Sequence, residues 1–534
     1  MKQTLLFILF SAMAHLCMSQ RTFIVDGITY QVIKESDEVN AVGLVEVTWM
    51  RNTSVYSGSI QIPNAVKESS DSYADTYKII GIGENAFKAS KQLRYVKLSP
   101  SIEYIGNSAF EGCTSLDSIS IPMGNLYRIG DFAFKESRIK SITIPNSIRE
   151  YGIGLFVNCR YLKSVELPSN TSYLPKGIFA QCTALESINI PENVKRIDGY
   201  AFQECSNLES IVLPSDLRSI GPGAFIKCKN LTSIQIPSSI EDIQQAAFAY
   251  SGIEYIEIPI SIRDIPEVMF YGCEYLQHIV LPEGVESLGE EAFAGCTSLT
   301  SIKFPTSLQR MEKRCFVGSG LKVMNMPNTI TSLGDNCFGD CRSLQEIVFS
   351  SGITSIGKGC CALCSKLQSV VIPYNIKRIE ESAFYGCYEL TNLQIKNPRC
   401  TIHEEAFYGC NKLSKTIEKP NVESSNDHLL TLHSVTITPT QTILSFSNNN
   451  LLEDGSYFQY CSISKDAAIL VNTQMYTMTD AEGIDIDPNK TYFTAIGQDL
   501  YFRLYFPPIP WNTKKIDFKE FTENGWILEG IQLE

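Results

Sequence analysis

The chain has 534 residues, of which 44% are hydrophobic, and a formal net charge of −13 at neutral pH. Apolar content on that scale excludes disorder as a description of the whole and requires a buried core. The acidic balance, with no run of Lys or Arg, excludes nucleic acid as a partner, because a phosphate polymer would on average be repelled.

Residues 1–19 read as a signal peptide: Lys2 is followed by an apolar run from Leu5 to Ala14, and Cys17 and Ser19 supply small residues at the −3 and −1 positions of a cleavage before Gln20. Acylation of Cys17 is a weaker reading, since Leu16 is too bulky for the small-residue slot that precedes a lipid-bearing cysteine. No later segment reaches the apolar length of a membrane helix. The mature chain is therefore expected to be secreted or displayed at the cell surface, without a transmembrane segment.

Residues 20–80 alternate like strands, with Asp26-Gly27 offering a tight turn between Phe23-Ile24-Val25 and Tyr30-Gln31-Val32. They read as an N-terminal β cap, which an open repeat array needs to cover its apolar end and unpaired strand edges.

From residue 81 to 414 the phrase I-P-x-S-I-x-x-I-G-x-x-A-F-x-G-C-x-x-L-x-S-I-x recurs. Its Phe falls at Phe87, Phe110, Phe134, Phe156, Phe179, Phe202, Phe225, Phe248, Phe270, Phe293, Phe316, Phe338, Phe384 and Phe407, with Cys361 in the remaining slot and a spacing of 22 to 24 residues throughout. So strict a period predicts a solenoid of about 15 coils, each with one β-strand and a short irregular or helical segment. In Leu185-x-x-Ile188-x-Ile190 the two Ile point inward while Ser187 and Asn189 point out, and Pro191 ends the strand because it cannot donate to a ladder. Val194 and Ile197 turn inward next, the chain bends at Gly199, and Phe202 fills the wide end of the coil. One coil buries too few side chains to offset the ordering of its own backbone, so stability has to come from stacking.

These residues resemble the BspA-like leucine-rich repeats, also called the Treponema pallidum type, found on surface proteins of Bacteroides-type bacteria. The resemblance implies an extracellular, non-catalytic binding protein, adhesin-like toward host proteins, and names no ligand.

After Leu413 the composition turns polar, and residues 415–429 read as a linker. Residues 430–534 carry short alternating runs, among them Val435-Thr436-Ile437 and Leu500 to Phe506, and read as a small all-β sandwich.

Eleven of the 18 cysteines sit three residues after the Phe slot, so they are expected as a buried column of small hydrophobes, with disulfides between neighbouring coils as the second reading. Ser137, Ser251 and Ser319 replace Cys in coils whose next segment is one residue shorter. Cys361-Ala362-Leu363-Cys364 has the form of a metal knuckle, but ladder membership accounts for its spacing and no metal or other cofactor is expected. No Ser or Cys nucleophile lies in a motif with His and an orienting carboxylate, and the paired carboxylates Glu290-Glu291, Glu380-Glu381 and Glu404-Glu405 all occupy one variable turn slot; no catalytic residue is expected.

The outward strand positions form two columns. One is mostly Ser until it changes to Tyr255, His278 and later Val323; the other carries Val280. Large apolar groups on an exposed face concentrate interface energy, so Tyr255, His278, Val280 and Val323 are the predicted contact residues for an extracellular or host protein. A glycan is the alternative ligand, disfavoured by the location of Trp49, Trp511 and Trp526 outside the repeats.

Overall fold

The computed structural model describes residues 21–35, 42–49, 56–69, 75–397, 399–439, 441–452, 454–511 and 513–533. The expected signal peptide lies outside the described residues. The chain resolves into two compact units, Met1–Gly284 and Val285–Glu534.

In the first unit, strand Thr22–Val25 pairs antiparallel with Ile28–Lys34, and Asp26 and Gly27 between them both have positive φ, the geometry of a two-residue hairpin turn. Gly43–Val47 pairs antiparallel with Ile28–Lys34 and parallel with Thr76–Ile82. The ladder then runs from coil to coil: Ile82 beside Ile105, Ile105 beside Ile129, Ile129 beside Tyr151. The hairpin is thus continuous with the solenoid sheet and pairs what would be its first open edge.

Most coils carry two short strands, not the single one expected. Ser187–Asn189 pairs parallel with Ser210–Val212, and the two-residue strand Arg196–Ile197 pairs with Ser219–Ile220. Corners are tight where the second strand ends: a Cβ on Gly221 would lie 2.5 Å from the Gly199 nitrogen of the preceding coil.

No helix follows, and the hydrogen bonds explain why. Alternate amides in the turn point down the stack: Tyr200, Phe202 and Glu204 donate to the carbonyls of Pro222, Ala224 and Ile226 in the next coil. The residues between them bond locally, Gln203 to Tyr200 and Cys205 to Phe202. Tyr200 and Glu204 reach this geometry with φ of 60° and 57°. The same two slots are left-handed in coil after coil, for example Ser108 and Gly112, and Gly223 and Lys227, which accounts for the Gly two residues after Phe in the repeat phrase. A helix would have satisfied these amides internally and left the coils unstitched.

The Phe side chains form a stack. From Phe87 to Phe270 successive ring centroids lie 5.0–5.8 Å apart. In the second unit Phe293, Phe316 and Phe338 repeat the pattern at 5.2 and 5.6 Å, as do Phe384 and Phe407 at 5.1 Å. Beside the rings runs the thiol column. Sγ of Cys113, Cys159, Cys182, Cys205, Cys228 and Cys273 donates to the backbone carbonyl of a Phe one coil back, at 3.0–3.2 Å. In the second unit Cys341, Cys364 and Cys410 do the same, and Cys387 donates to the carbonyl of Cys361, which occupies the Phe slot. Among the described residues the cysteines are free thiols.

In the second unit the coils are followed by two five-stranded sheets, one of Lys415–Glu418, Leu430–Ile437, Thr442–Asn449, Asp499–Phe506 and Asp480–Glu482, the other of Ser424–Ser425, Ile527–Gln532, Lys515–Lys519, Ala468–Val471 and Gln474–Thr477. All their pairings are antiparallel, and Leu444, Phe446, Leu504, Phe518 and Ile531 share one core between them, which fits a sandwich-like fold. The segment 415–429, expected as a linker, instead contributes an edge strand to each sheet. Its polar alternation misled the reading because an edge strand needs backbone partners more than apolar side chains.

Candidate protein-interaction surface

Tyr255–Glu257 and His278–Val280 are neighbouring parallel strands in the first unit, and in both the central Ile is buried while the flanking residues face solvent. Tyr255 lies directly beside His278 and bridges on its other side to Ser233; Val280 lies beside Glu257. Three of the four predicted contact residues therefore adjoin on one ribbon. Val323 belongs to the second unit, where it is exposed on strand Val323–Asn325 beside Glu346.

The sequence reading missed a notch next to this ribbon. A full coil runs Cys205-Ser206-Asn207-Leu208 through its turn, whereas the coil of Phe248 runs Ser251-Gly252-Ile253 and is one residue short. The missing residue leaves an open cavity of about 810 Å³ lined by Glu209, Lys229, Tyr250, Gly252, Glu254 and Tyr275, among others. Its one visible signal was the shortened spacing, which reads as turn geometry until the coils are stacked. Glu254 immediately precedes Tyr255, so notch and ribbon are continuous along the chain.

Gly252 has no substitute here. Its amide donates to the Cys228 carbonyl at 3.0 Å, and a Cβ would sit 2.0 Å from the Lys229 carbonyl oxygen. Ser251 keeps the Cys slot filled, its Oγ 3.5 Å from Cys273 Sγ.

The thiols of the first unit's column are unsuited to nucleophilic chemistry. Burial pushes Cys205 and Cys159 up to about 12 and Cys273 up to about 11, so all three are neutral at physiological pH and poor nucleophiles. Cys315, Cys337 and Cys360 are buried in the Ala slot of successive coils, and burial holds the first two well above the ordinary thiol range.

Short parallel strands stacked coil on coil, with an inward Leu and Ile set and a buried Phe spine, define a leucine-rich-repeat solenoid. A profile described as "BspA type Leucine rich repeat region (6 copies)" matches residues 80–209, 195–322, 264–387, 310–436 and 354–475. The chain belongs to this BspA-type leucine-rich-repeat family. Among solved structures it is similar to a leucine-rich repeat protein from Bacteroides ovatus, with 26% identity over 74% of this chain and 93% of that one and a TM-score of 0.47. It is also similar to a leucine rich cell surface protein from Faecalibacterium prausnitzii, with 23% identity over 74% and 94% and a TM-score of 0.37. The pneumococcal vaccine antigen PcpA matches at 17% identity over 72% and 98% with a TM-score of 0.45. No curated protein matches the chain. No helix among the described residues is long and apolar enough to cross a membrane.

Proposed function

We propose that this chain is a secreted or cell-surface binding protein, adhesin-like, that holds an extracellular protein against the strand face of its repeats. Residues 1–19 serve as its export signal, and residues 430–534, with the two preceding edge strands, form an accessory β module.

The observation that carries this reading is the ribbon itself. Tyr255, His278 and Val280 are outward, large and adjacent, on two strands paired in parallel with each other, the first of them also bridged at Tyr255 to Ser233. Presenting such groups on a rigid scaffold lowers the ordering cost of association.

The test immobilises the chain lacking residues 1–19 and passes soluble matrix and mucosal proteins over it. Saturable capture that weakens at least about tenfold in Tyr255→Ala/His278→Ala, a loss of about 1.4 kcal/mol, supports the reading. Capture by no such protein, or capture indifferent to the double substitution, overturns it.

A further inference from the structure

The repeats contain two more shortened coils, and one of them shows what fills such a notch. In the coil of Phe134 the short turn is Ser137-Arg138-Ile139. The Arg138 guanidinium carbon lies 5.0 Å from the ring centroid of Tyr161, and its Nε lies 3.5 Å from Asp117 Oδ1. Lys140 reaches the same carboxylate oxygen at 3.2 Å. These are ionic contacts without directed hydrogen-bond geometry, since Asp117 Oδ1 is buried without a hydrogen-bond partner. Here the chain plugs its own notch with an arginine stacked on a tyrosine and set against a carboxylate.

The notch of the Phe248 coil stands at the same repeat position on a different backbone: the Gly252 amide donates to the Cys228 carbonyl of the preceding coil, a bond Arg138 does not make to Cys113, and no side chain of its own fills it. Tyr275, five residues after its Phe, occupies the repeat position of Tyr161, and Gly252 occupies that of Arg138. Tyr275 is 60% exposed, against 52% for Tyr161. Thr232 stands at the position of Asp117, but Glu209 and Glu254 line the cavity, and neither carboxylate has an ion-pair partner among the described residues. Glu274 adds a third carboxylate and Lys229 one opposing charge, which leaves the lining net acidic. The close approach of the Lys229 carbonyl bars any side chain at position 252, so the chain cannot fill this space from within.

We propose that this notch receives an arginine side chain from a partner protein, its guanidinium stacking on Tyr275 and pairing with Glu209 and Glu254. The assignment rests on the protein-binding reading above and specifies its chemistry: the partner presents an arginine on an accessible loop or extended segment beside the residues that meet Tyr255 and His278. A planar, weakly hydrated guanidinium suits a tyrosine face better than the compact, strongly hydrated ammonium of lysine. The third short coil, Ser319-Gly320-Leu321, has the same barred glycine, with a Cβ 2.0 Å from the Thr297 carbonyl oxygen, but Ser343 stands where Tyr275 does. That notch has no ring for a cation and serves as an internal control.

The test is saturation-transfer NMR on the chain lacking residues 1–19, titrated with the blocked pentapeptide Gly-Gly-Arg-Gly-Gly and its lysine and citrulline counterparts. The expected result is saturable binding of the arginine peptide, weaker binding of the lysine peptide and none of the citrulline peptide. Tyr275→Ala and Glu209→Gln/Glu254→Gln should each weaken it about two- to fivefold, as loss of one exposed cation–π contact or of exposed ion pairs implies. Tyr161→Ala, whose ring Arg138 already covers, should leave it unchanged. Equal binding of arginine and citrulline peptides, or binding unaffected by Tyr275→Ala, overturns the proposal. The peptide experiment is independent of whether any extracellular protein is captured. Its failure would remove the arginine site and leave the ribbon's capture experiment standing, and failure of capture would leave a peptide result intact.

Discussion

Replacing Phe202 by alanine removes one ring from the middle of the first unit's stack. Phe202 is fully buried, 5.5 Å from Phe179 and 5.3 Å from Phe225. The truncation deletes roughly 100 Å³, a cavity that costs about 2 kcal/mol if the coils do not collapse, and the lost transfer energy of the ring adds about 2 kcal/mol. Collapse is resisted, because the flanking coils are held apart by backbone bonds at a fixed rise: Phe179 N–H to Ala201 at 2.9 Å and Phe202 N–H to Ala224 at 2.8 Å. The expected loss is therefore about 4 kcal/mol, in the ordinary range for a core Phe. It should be local as well as large, because in a stack each coil contacts only its neighbours. Urea denaturation gives the magnitude, and amide hydrogen exchange gives the location, with protection falling first at residues 179–204. A loss below about 1 kcal/mol, or exchange that quickens uniformly along the chain, would refute the view that the Phe spine is what couples one coil to the next.

Further outcomes follow from the same geometry. Gly112 has a φ of 71° and its nearest neighbour to a new Cβ is 3.6 Å away, so Gly112→Ala should cost about 1 kcal/mol from backbone conformation alone, read as a shift in denaturation midpoint. Burial raises the folded-state thiol values of Cys113, Cys159 and Cys205 to about 12, above the unfolded value of 9.0; an unfolded chain therefore loses protons first as pH rises, and stability should fall between pH 9 and 12. Cys205→Ser should flatten part of that decline, checked by denaturation midpoints across the alkaline range. Folded protein at pH 8 should resist alkylation of these thiols by iodoacetamide and react fully once unfolded, as counted by mass spectrometry. Tyr255→Ala/His278→Ala should leave stability within about 0.5 kcal/mol of the parent, since both side chains are solvent-facing.

Much of the solenoid was readable in advance because its packing imposes a strict rule on the sequence: one large ring per coil, one small thiol three residues later, and an Ile pair flanked by polar residues. Phe202, Cys205 and Ile188 could be assigned from spacing alone, and outward strand positions such as Tyr255 and His278 from alternation. The second strand, Arg196–Ile197, was not readable because two residues carry no period. Nor was the left-handed geometry at Tyr200 and Glu204, since the side chains there are ordinary and the constraint comes from amides seeking the next coil. The edge strands Lys415–Glu418 and Ser424–Ser425 escaped notice because neither is apolar. The notch at Gly252 was visible only as a missing residue, and its meaning depends on what the coils before and after it place around the gap.

The downward-pointing amides of the turn have an architectural consequence. Because successive coils of the first unit offer the same alternating donors to the one that follows, a whole period can be duplicated or excised between, say, Phe156 and Phe179 without breaking a bond pattern. Such an event leaves the contact ribbon intact and only slides it, one step at a time, nearer to or farther from the N-terminal hairpin. The stack thereby works as a ruler whose graduations are coils, and the number of coils between the N-terminal hairpin and the Tyr255–His278 ribbon is adjustable in evolution without altering the ribbon itself.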